Sequence, residues 1–291
     1  MTAAHKRASL PRVQIPTYVY ILAPLVIVAF VVQLVLRGRS AARSARGMAR
    51  SLRNVVAVDK QQPTTGELAT ALAVGAHMSL GHGVSWNALK DDANSAQKIY
   101  ANLKNQWDVN SPAQLRECLD GLLDDETGDP IADFVLKVRQ PEPDAWRAAV
   151  TEAARSQGVP ETTIAEMTAT VDRVLGYEER FRADGLLPPD GQIKSLFAYD
   201  WGRAVNMARW GYKLRWISEQ QAQEYVLRAG KQAFGRYASW GDFSAGYALG
   251  RVLRFDNDEF DVWYATVLEA HQVLTTDPAS PWLTLPWPAG R

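Results

Sequence analysis

Residues 197–214 read Phe-Ala-Tyr-Asp-Trp-Gly-Arg-Ala-Val-Asn-Met-Ala-Arg-Trp-Gly-Tyr-Lys-Leu. Wound at about 100° per residue, the run puts Phe197, Trp201, Ala204, Val205, Ala208 and Tyr212 on one face. Met207, Trp210 and Leu214 fall on the far side, and Arg203 falls among them. Only a narrow polar strip remains, made of Asn206, Arg209 and Lys213. A helix apolar on two sides is covered on both, so this stretch predicts a helix buried among other helices. Arg203 is then partly buried and needs a carboxylate. Asp200 is one turn earlier on the same helix, and Glu178 or Glu179 is in reach if the preceding helix packs there.

The run from Trp240 repeats the pattern. Arg251 shares a face with Trp240, Phe243, Ser244 and Tyr247, and Gly250 precedes it as Gly202 precedes Arg203. Glycine inside a helix costs about 1 kcal/mol relative to alanine, so each glycine predicts a close helix crossing. Two readings follow. In one, both arginines are structural, stacked on aromatic rings and paired with acids. In the other, Asp200, Arg203, Arg209, Trp240 and Arg251 bind an anionic ligand, a carboxylate or a phosphate. Guanidinium groups that converge on an open pocket favour the ligand. Guanidinium groups capped by acids beneath packed tryptophans favour structure.

Outward from these two runs, helix signals recur and strand signals do not. Thr64 and Glu67 form a capping box ahead of the apolar run from Leu68 to Leu80. Ser111-Pro112-Ala113-Gln114 combines an N-cap, a first-turn proline and a box partner, and leads into the stripe Leu115, Cys118, Leu119, Leu122. The stripe makes Cys118 a small buried hydrophobe. Asp129-Pro130 and Pro143 open further helices, the second stopped at Gly158. A long helix runs from about Pro160 to Asp184, and Ser218/Gln221 and Ser239/Asp242 start two more. The expected fold is all-α: a compact domain of about ten helices. Pro188-Pro189-Asp190-Gly191 separates two domains or two lobes of one, and one domain is the preferred reading.

The chain's net charge of zero conceals a split. Residues 1–60 hold ten Lys/Arg and one acid, Asp59, whereas residues 61–291 hold 22 Lys/Arg and 31 Asp/Glu. An acidic main domain argues against nucleic acid, whose phosphates need clustered Lys/Arg. Tyr18 to Leu36 is 19 residues without a charge. As a helix it spans about 28 Å, close to the hydrocarbon thickness of a bilayer. Arg37 and Arg39 directly after it oppose signal-peptide cleavage, so a single transmembrane helix is expected. Six arginines follow the run within 17 residues, against Lys6, Arg7 and Arg12 before it. The positive-inside rule then puts the C-terminal domain in the cytoplasm. Arg39, Arg43, Arg46, Arg50 and Arg53 step by 4, 3, 4 and 3, one stripe of a helix whose other side holds Ala42, Ala45, Ala49, Leu52 and Val56. That stripe lies against anionic headgroups or flanks a solvated stalk. The expected organisation is a tail over 1–17, a transmembrane helix over 18–36, a basic helix and linker over 37–63, and the helical domain over 64–291.

Several spaced motifs in this domain resemble a known family. They are Tyr199-Asp200-Trp201-Gly202-Arg203, Arg209-Trp210-Gly211-Tyr212, Ile217-Ser218-Glu219, Ser239-Trp240-Gly241-Asp242-Phe243 and Gly246-Tyr247-Ala248-Leu249-Gly250-Arg251. Asp277, Ser280-Pro281-Trp282 and Leu285-Pro286-Trp287 complete the order. The order resembles the bacterial family called domain of unknown function 1266, most strongly over residues 195–287 and more weakly over 68–110. Residues 1–60 lie outside the resemblance. The family has no established activity, so the resemblance implies no reaction.

Familiar chemistry is scarce. His77 and His82 are five apart, the wrong spacing for two ligands on one helix face, and no metal site is expected. The acidic runs 124–129 and 256–259 lack the glycine and glutamate positions of a calcium loop. No nucleophile elbow, phosphate loop or dinucleotide fingerprint occurs, so no cofactor is expected. A protein-interaction or scaffolding module held at a membrane is the first functional expectation, with a protein partner unidentified. An enzyme or small-ligand binder acting at Arg203 and Arg251 is the second.

Overall fold

The computed structural model describes residues 54–124 and 128–288. The expected tail, transmembrane helix and basic stripe from Arg39 to Arg53 lie outside the described residues. Among the described residues no helix is long and apolar enough to cross a membrane. There is also no strand among them: the fold is twelve α-helices and one 3-10 turn.

The chain enters the described region without a helix. Val56 and Ala57 are buried, and Trp86 donates its backbone N–H to Ala57 at 2.9 Å. The Asn87 amide ties the entry down by donating to the carbonyls of Asp59 and Gln62 at 2.9 and 3.1 Å. Val56, expected on the basic helix, lies outside any helix and packs into the apolar core.

Helix α1 spans Glu67–Leu72, the 3-10 turn Ala73–Gly75, and α2 Ala76–His82. The expected capping box fails here: Gly66, at φ 95°, stands at the N-cap, with no side-chain cap. The single apolar run expected from Leu68 is broken at Gly75. A Cβ there would lie 2.6 Å from Val205 Cγ1, so the turn lets the chain pass close to the buried helix. α3 is Ala96–Trp107, and α4 is Pro112–Leu122, capped by Ser111, which accepts from Gln114 N–H at 3.3 Å. α5 (Pro130–Lys137), α6 (Pro143–Ser156) and α7 (Glu161–Ala183) follow. α8 is Phe197–Leu214, with fifteen of its eighteen residues buried. α9 (Glu219–Arg236) has the capping box expected at Ser218 and Gln221. α10 (Trp240–Phe255), α11 (Val262–Thr276) and the short α12 (Pro281–Thr284) close the domain.

Two apolar cores result. The first joins α1 to α4 with α8, α9 and the tryptophans Trp240 and Trp282. The second joins α5, α6 and α7 with α11. α10 serves both, giving Phe243 and Tyr247 to the first and Ala245, Ala248, Leu249 and Val252 to the second. α11 also serves both, giving Ala270 and Leu274 to the first and Tyr264 and Val267 to the second. The Pro188–Gly191 turn lies within the second core, between Leu187 and Ile193, so it does not divide the domain.

Candidate functional site

The site starts from the crossing of α8 and α10, where the two glycines do matching work. A Cβ on Gly202 would lie 2.9 Å from the Tyr247 ring, and one on Gly250 would lie 2.8 Å from Tyr199 Cβ. Each helix thus accepts the other's tyrosine over its own glycine. The two rings meet edge to face at 5.3 Å. The Arg203 guanidinium lies over Tyr199, 4.1 Å from the ring centre, and 5.3 Å from Trp107.

Arg203 and Asp200 form a buried ion pair one turn apart, with both side chains under a tenth exposed. The other Asp200 oxygen accepts the Gly128 N–H at 3.1 Å, which brings the α4–α5 connection onto α8. Glu178 is not the partner of Arg203. It accepts two 2.7 Å bonds from Arg139 and one from Ile193 N–H, so α7 turns its acid to the second core. Beside the Arg203–Asp200 pair lies a cleft of about 150 Å³, lined by Gly128, Asp129, Leu196, Tyr199, Gly250 and Arg254 as well as the pair itself.

The other nominated residues lie elsewhere. Arg251 is half-buried, with its guanidinium 5.3 Å from the Trp263 ring centre, and it does not line the cleft. Arg254, one turn nearer the cleft, takes the place expected for Arg251. Arg209 is fully buried between α8 and α2, donating to Ser79 Oγ at 2.6 Å and to the Trp86 carbonyl at 2.5 Å. Burial lowers its pKa to about 10, with Asp91 and Asp92 acting the other way. Trp240 is a core residue: its indole N–H donates to Leu285 carbonyl at 2.9 Å, and its ring stacks on Trp282 at 5.7 Å. Asp200 and Arg203 are therefore together, and Arg209, Trp240 and Arg251 are separate from them. Cys118 is only partly buried, and burial raises its thiol pKa.

One arrangement escaped the spacing argument. His77 on α2, Ser244 on α10 and His271 on α11 form a buried chain. Ser244 Oγ lies 2.9 Å from His77 Nε2 and 2.8 Å from His271 Nδ1. A hydroxyl has one proton to donate, so with both rings neutral one imidazole donates to it and the other accepts from it. His77 also stacks flat on Tyr247 at 4.2 Å and meets Trp282 edge-on at 5.3 Å. Burial, then His271 and Arg251, hold His77 well below the usual histidine range, and burial lowers His271. Testing His77 for metal spacing alone missed this role. The signal present in the sequence was the place of Ser244 on the aromatic face of α10. Among the described residues no cluster of ligating side chains could hold a metal ion.

Past the cleft, α10 ends in an exposed aromatic surface. Phe255 and Trp263 meet at 5.3 Å, and Phe255, Phe260, Val262 and Trp263 are 38%, 39%, 62% and 42% exposed. Arg254 lies over Phe255 at 5.6 Å. The loop joining α10 to α11 holds Asn257, Asp258 and Phe260 at positive φ, a costly conformation for each. Buried Asp256 fixes it by accepting from Tyr177 Oη, Phe260 N–H and Tyr264 N–H at 2.9 to 3.0 Å. The acidic run 256–259 is thus a built turn.

Comparison with known proteins gives a family and one named relative. The profile of a family described as "Protein of unknown function (DUF1266)" matches residues 102–287. The match takes in residues 111–194, which none of the quoted motifs covers, and leaves out residues 68–101. An uncharacterized protein of Escherichia coli (strain K12), YbeU, is 22% identical over 165 residues. That alignment covers 55% of this chain and 62% of YbeU, so the chain spans less than two thirds of that relative's length. No solved structure matches.

Proposed function

Since the chain belongs to the DUF1266 family, whose description carries no activity to inherit, we propose that it is a membrane-tethered helical domain that works through its surface, as a protein-interaction or scaffolding module. The observation that carries this reading is the Phe255–Trp263 surface. Aromatic residues and arginine make the strongest contributions at protein interfaces. Here they stand on two helix ends and on the loop between them, which Asp256 fixes, so little freedom is lost on binding. The uncharged run 18–36 supplies the tether, and the arginines from Arg39 to Arg53 rest on anionic lipid with the domain on the cytoplasmic side. The test is a pair of fusions after Arg291. A phosphatase there is expected to be inactive and a fluorescent protein to glow. An active phosphatase would put the domain outside, and a chain released from membranes by alkaline carbonate would remove the tether.

The cleft beside Arg203 favours a second reading, a small anion held between Arg203 and Arg254. Asp200 already neutralises Arg203, and Asp129 lines the same cleft, so Arg254 is the guanidinium that would meet the anion. A ligand that binds the folded state raises its melting temperature. Millimolar inorganic phosphate is then expected to raise Tm in the wild type and leave Arg254→Ala unchanged. No shift in the wild type discards this reading.

A further inference from the structure

We infer that the Phe255–Trp263 surface docks a second copy of this chain in a two-fold contact; this names the partner of the interaction reading above and rests on it. Three features of the surface point that way. It is mixed in sign: Arg251 and Arg254 lie on the α10 side, and exposed Glu259 and Asp261 lie on the loop side. Asp258 is already engaged by Arg173 at 2.8 Å, so it does not count toward the balance. A surface with equal numbers of both signs around an apolar centre is complementary to itself, as an isologous contact must be. A lipid surface fits poorly, because the loop acids and the acidic balance of residues 61–291 oppose anionic headgroups.

The second feature is size. Taking 150–250 Å² for each aromatic side chain, the exposed parts of Phe255, Phe260, Val262 and Trp263 amount to roughly 300 Å². That falls in the range of the largest apolar patch on a monomer, which is often functional. It is well short of the roughly 800 Å² per partner of a standard stable complex. The contact is therefore weak in dilute solution and depends on concentration. Confinement to a membrane raises the effective concentration of tethered copies, so the tether and the small patch suit each other.

The third feature is geometry. Trp263 lies in the first turn of α11 and Phe255 ends α10, with the strained turn between them. In a two-fold contact the Trp263 rings face each other near the axis, and Arg254 of one copy reaches Asp261 of the other.

The full-length chain tests this by cysteine crosslinking, with Cys118→Ser as background. Val262→Cys sits on the surface, and Asp144→Cys, on the far more exposed α6 position with its side chain 99% exposed, is the control. Cells are fractionated first, and each fraction is treated with a short bis-maleimide. The expected result is a dimer at Val262→Cys at least five times as abundant as at Asp144→Cys. Arg254→Glu lowers that yield, and Arg254→Glu with Asp261→Arg restores it. A Val262→Cys yield no higher than the control's overturns the inference, and so does a yield that Arg254→Glu leaves unchanged. The fractionation judges the tether separately. A chain found in the supernatant sinks membrane attachment, and the dimer yield in that fraction still decides the docking.

Discussion

At the scale of single residues, Arg203 separates structure from ligand binding. Its guanidinium is paired with Asp200, lies over Tyr199 and is under a tenth exposed. Removing one partner of a buried pair leaves an uncompensated charge, at a cost of about 3–5 kcal/mol. Arg203→Ala is expected to lose that much in chemical denaturation of the full-length chain in mild detergent. Arg203→Lys is expected to recover only part, because an ammonium cannot stack as a planar fork does. A loss under about 1 kcal/mol in Arg203→Ala would instead mark the residue as a site group carrying unneutralised charge. Glu178 offers an independent check. Among the described residues it is the acid of the Arg139 fork, and it also accepts Ile193 N–H, so Glu178→Gln is expected to cost several kcal/mol by the same reasoning. The Arg203–Asp200 pair was legible because a three-residue step in a helix is a contact. The place of Arg254 was not, since it depends on Gly128 arriving at Asp200 from 72 positions away. The hydroxyl shared by His77 and His271 was hidden for the same reason: periodicity assigns a residue to a face, and says nothing of what faces it.

At the scale of elements, the crossing of α8 and α10 shows what glycine achieves. The glycines before Arg203 and Arg251 announced a close approach, and each in fact receives a tyrosine of the opposite helix. Gly246 is tighter still. A Cβ there would lie 2.7 Å from the Ser195 carbonyl oxygen and 2.8 Å from Tyr237 Oη. That hydroxyl donates to Ser195 carbonyl and accepts from Ala198 N–H, which seats the start of α8. Gly246→Ala is therefore expected to destabilise by about 1–3 kcal/mol, as overpacking does, despite the better helix propensity of alanine. Gly176 in α7 has nothing within 4 Å of its would-be Cβ. Gly176→Ala is expected to stabilise by about 0.5–1 kcal/mol. Urea midpoints of the two variants test both signs, and a stabilised Gly246→Ala would contradict the crossing. Caps were the most legible elements: Ser111, Ser218 and Ser239 each accept the N–H three residues on. The break at Gly75 was illegible, since it answers to Val205, 130 residues later in the chain.

For the molecule as a whole, the buried imidazoles set a response to acid. His77 and His271 have folded pKa values below the free value of about 6.5. Below that value the unfolded chain takes up protons that the folded chain refuses, so stability is full at neutral pH and falls with acid. Each group contributes a slope of up to about 1.4 kcal/mol per pH unit. The unfolding midpoint is expected to drop markedly between pH 7.5 and pH 5, and less in His271→Gln. A midpoint that does not change over this interval would mean the two rings already carry protons when folded. The same region fixes the order in which the protein can be finished. Trp282 donates its indole N–H to the Ala73 carbonyl, 209 residues earlier, beneath a ring stack that includes Trp240. At 5–20 residues per second of synthesis, Ala73 waits about 10–40 s for Trp282 to be made. Throughout that interval the Ala73 carbonyl, between buried Leu72 and Val74, lacks the donor that meets it in the finished core. The first core is thus closed late, at a time set by the ribosome, since its 3-10 turn meets a partner made 209 residues afterwards.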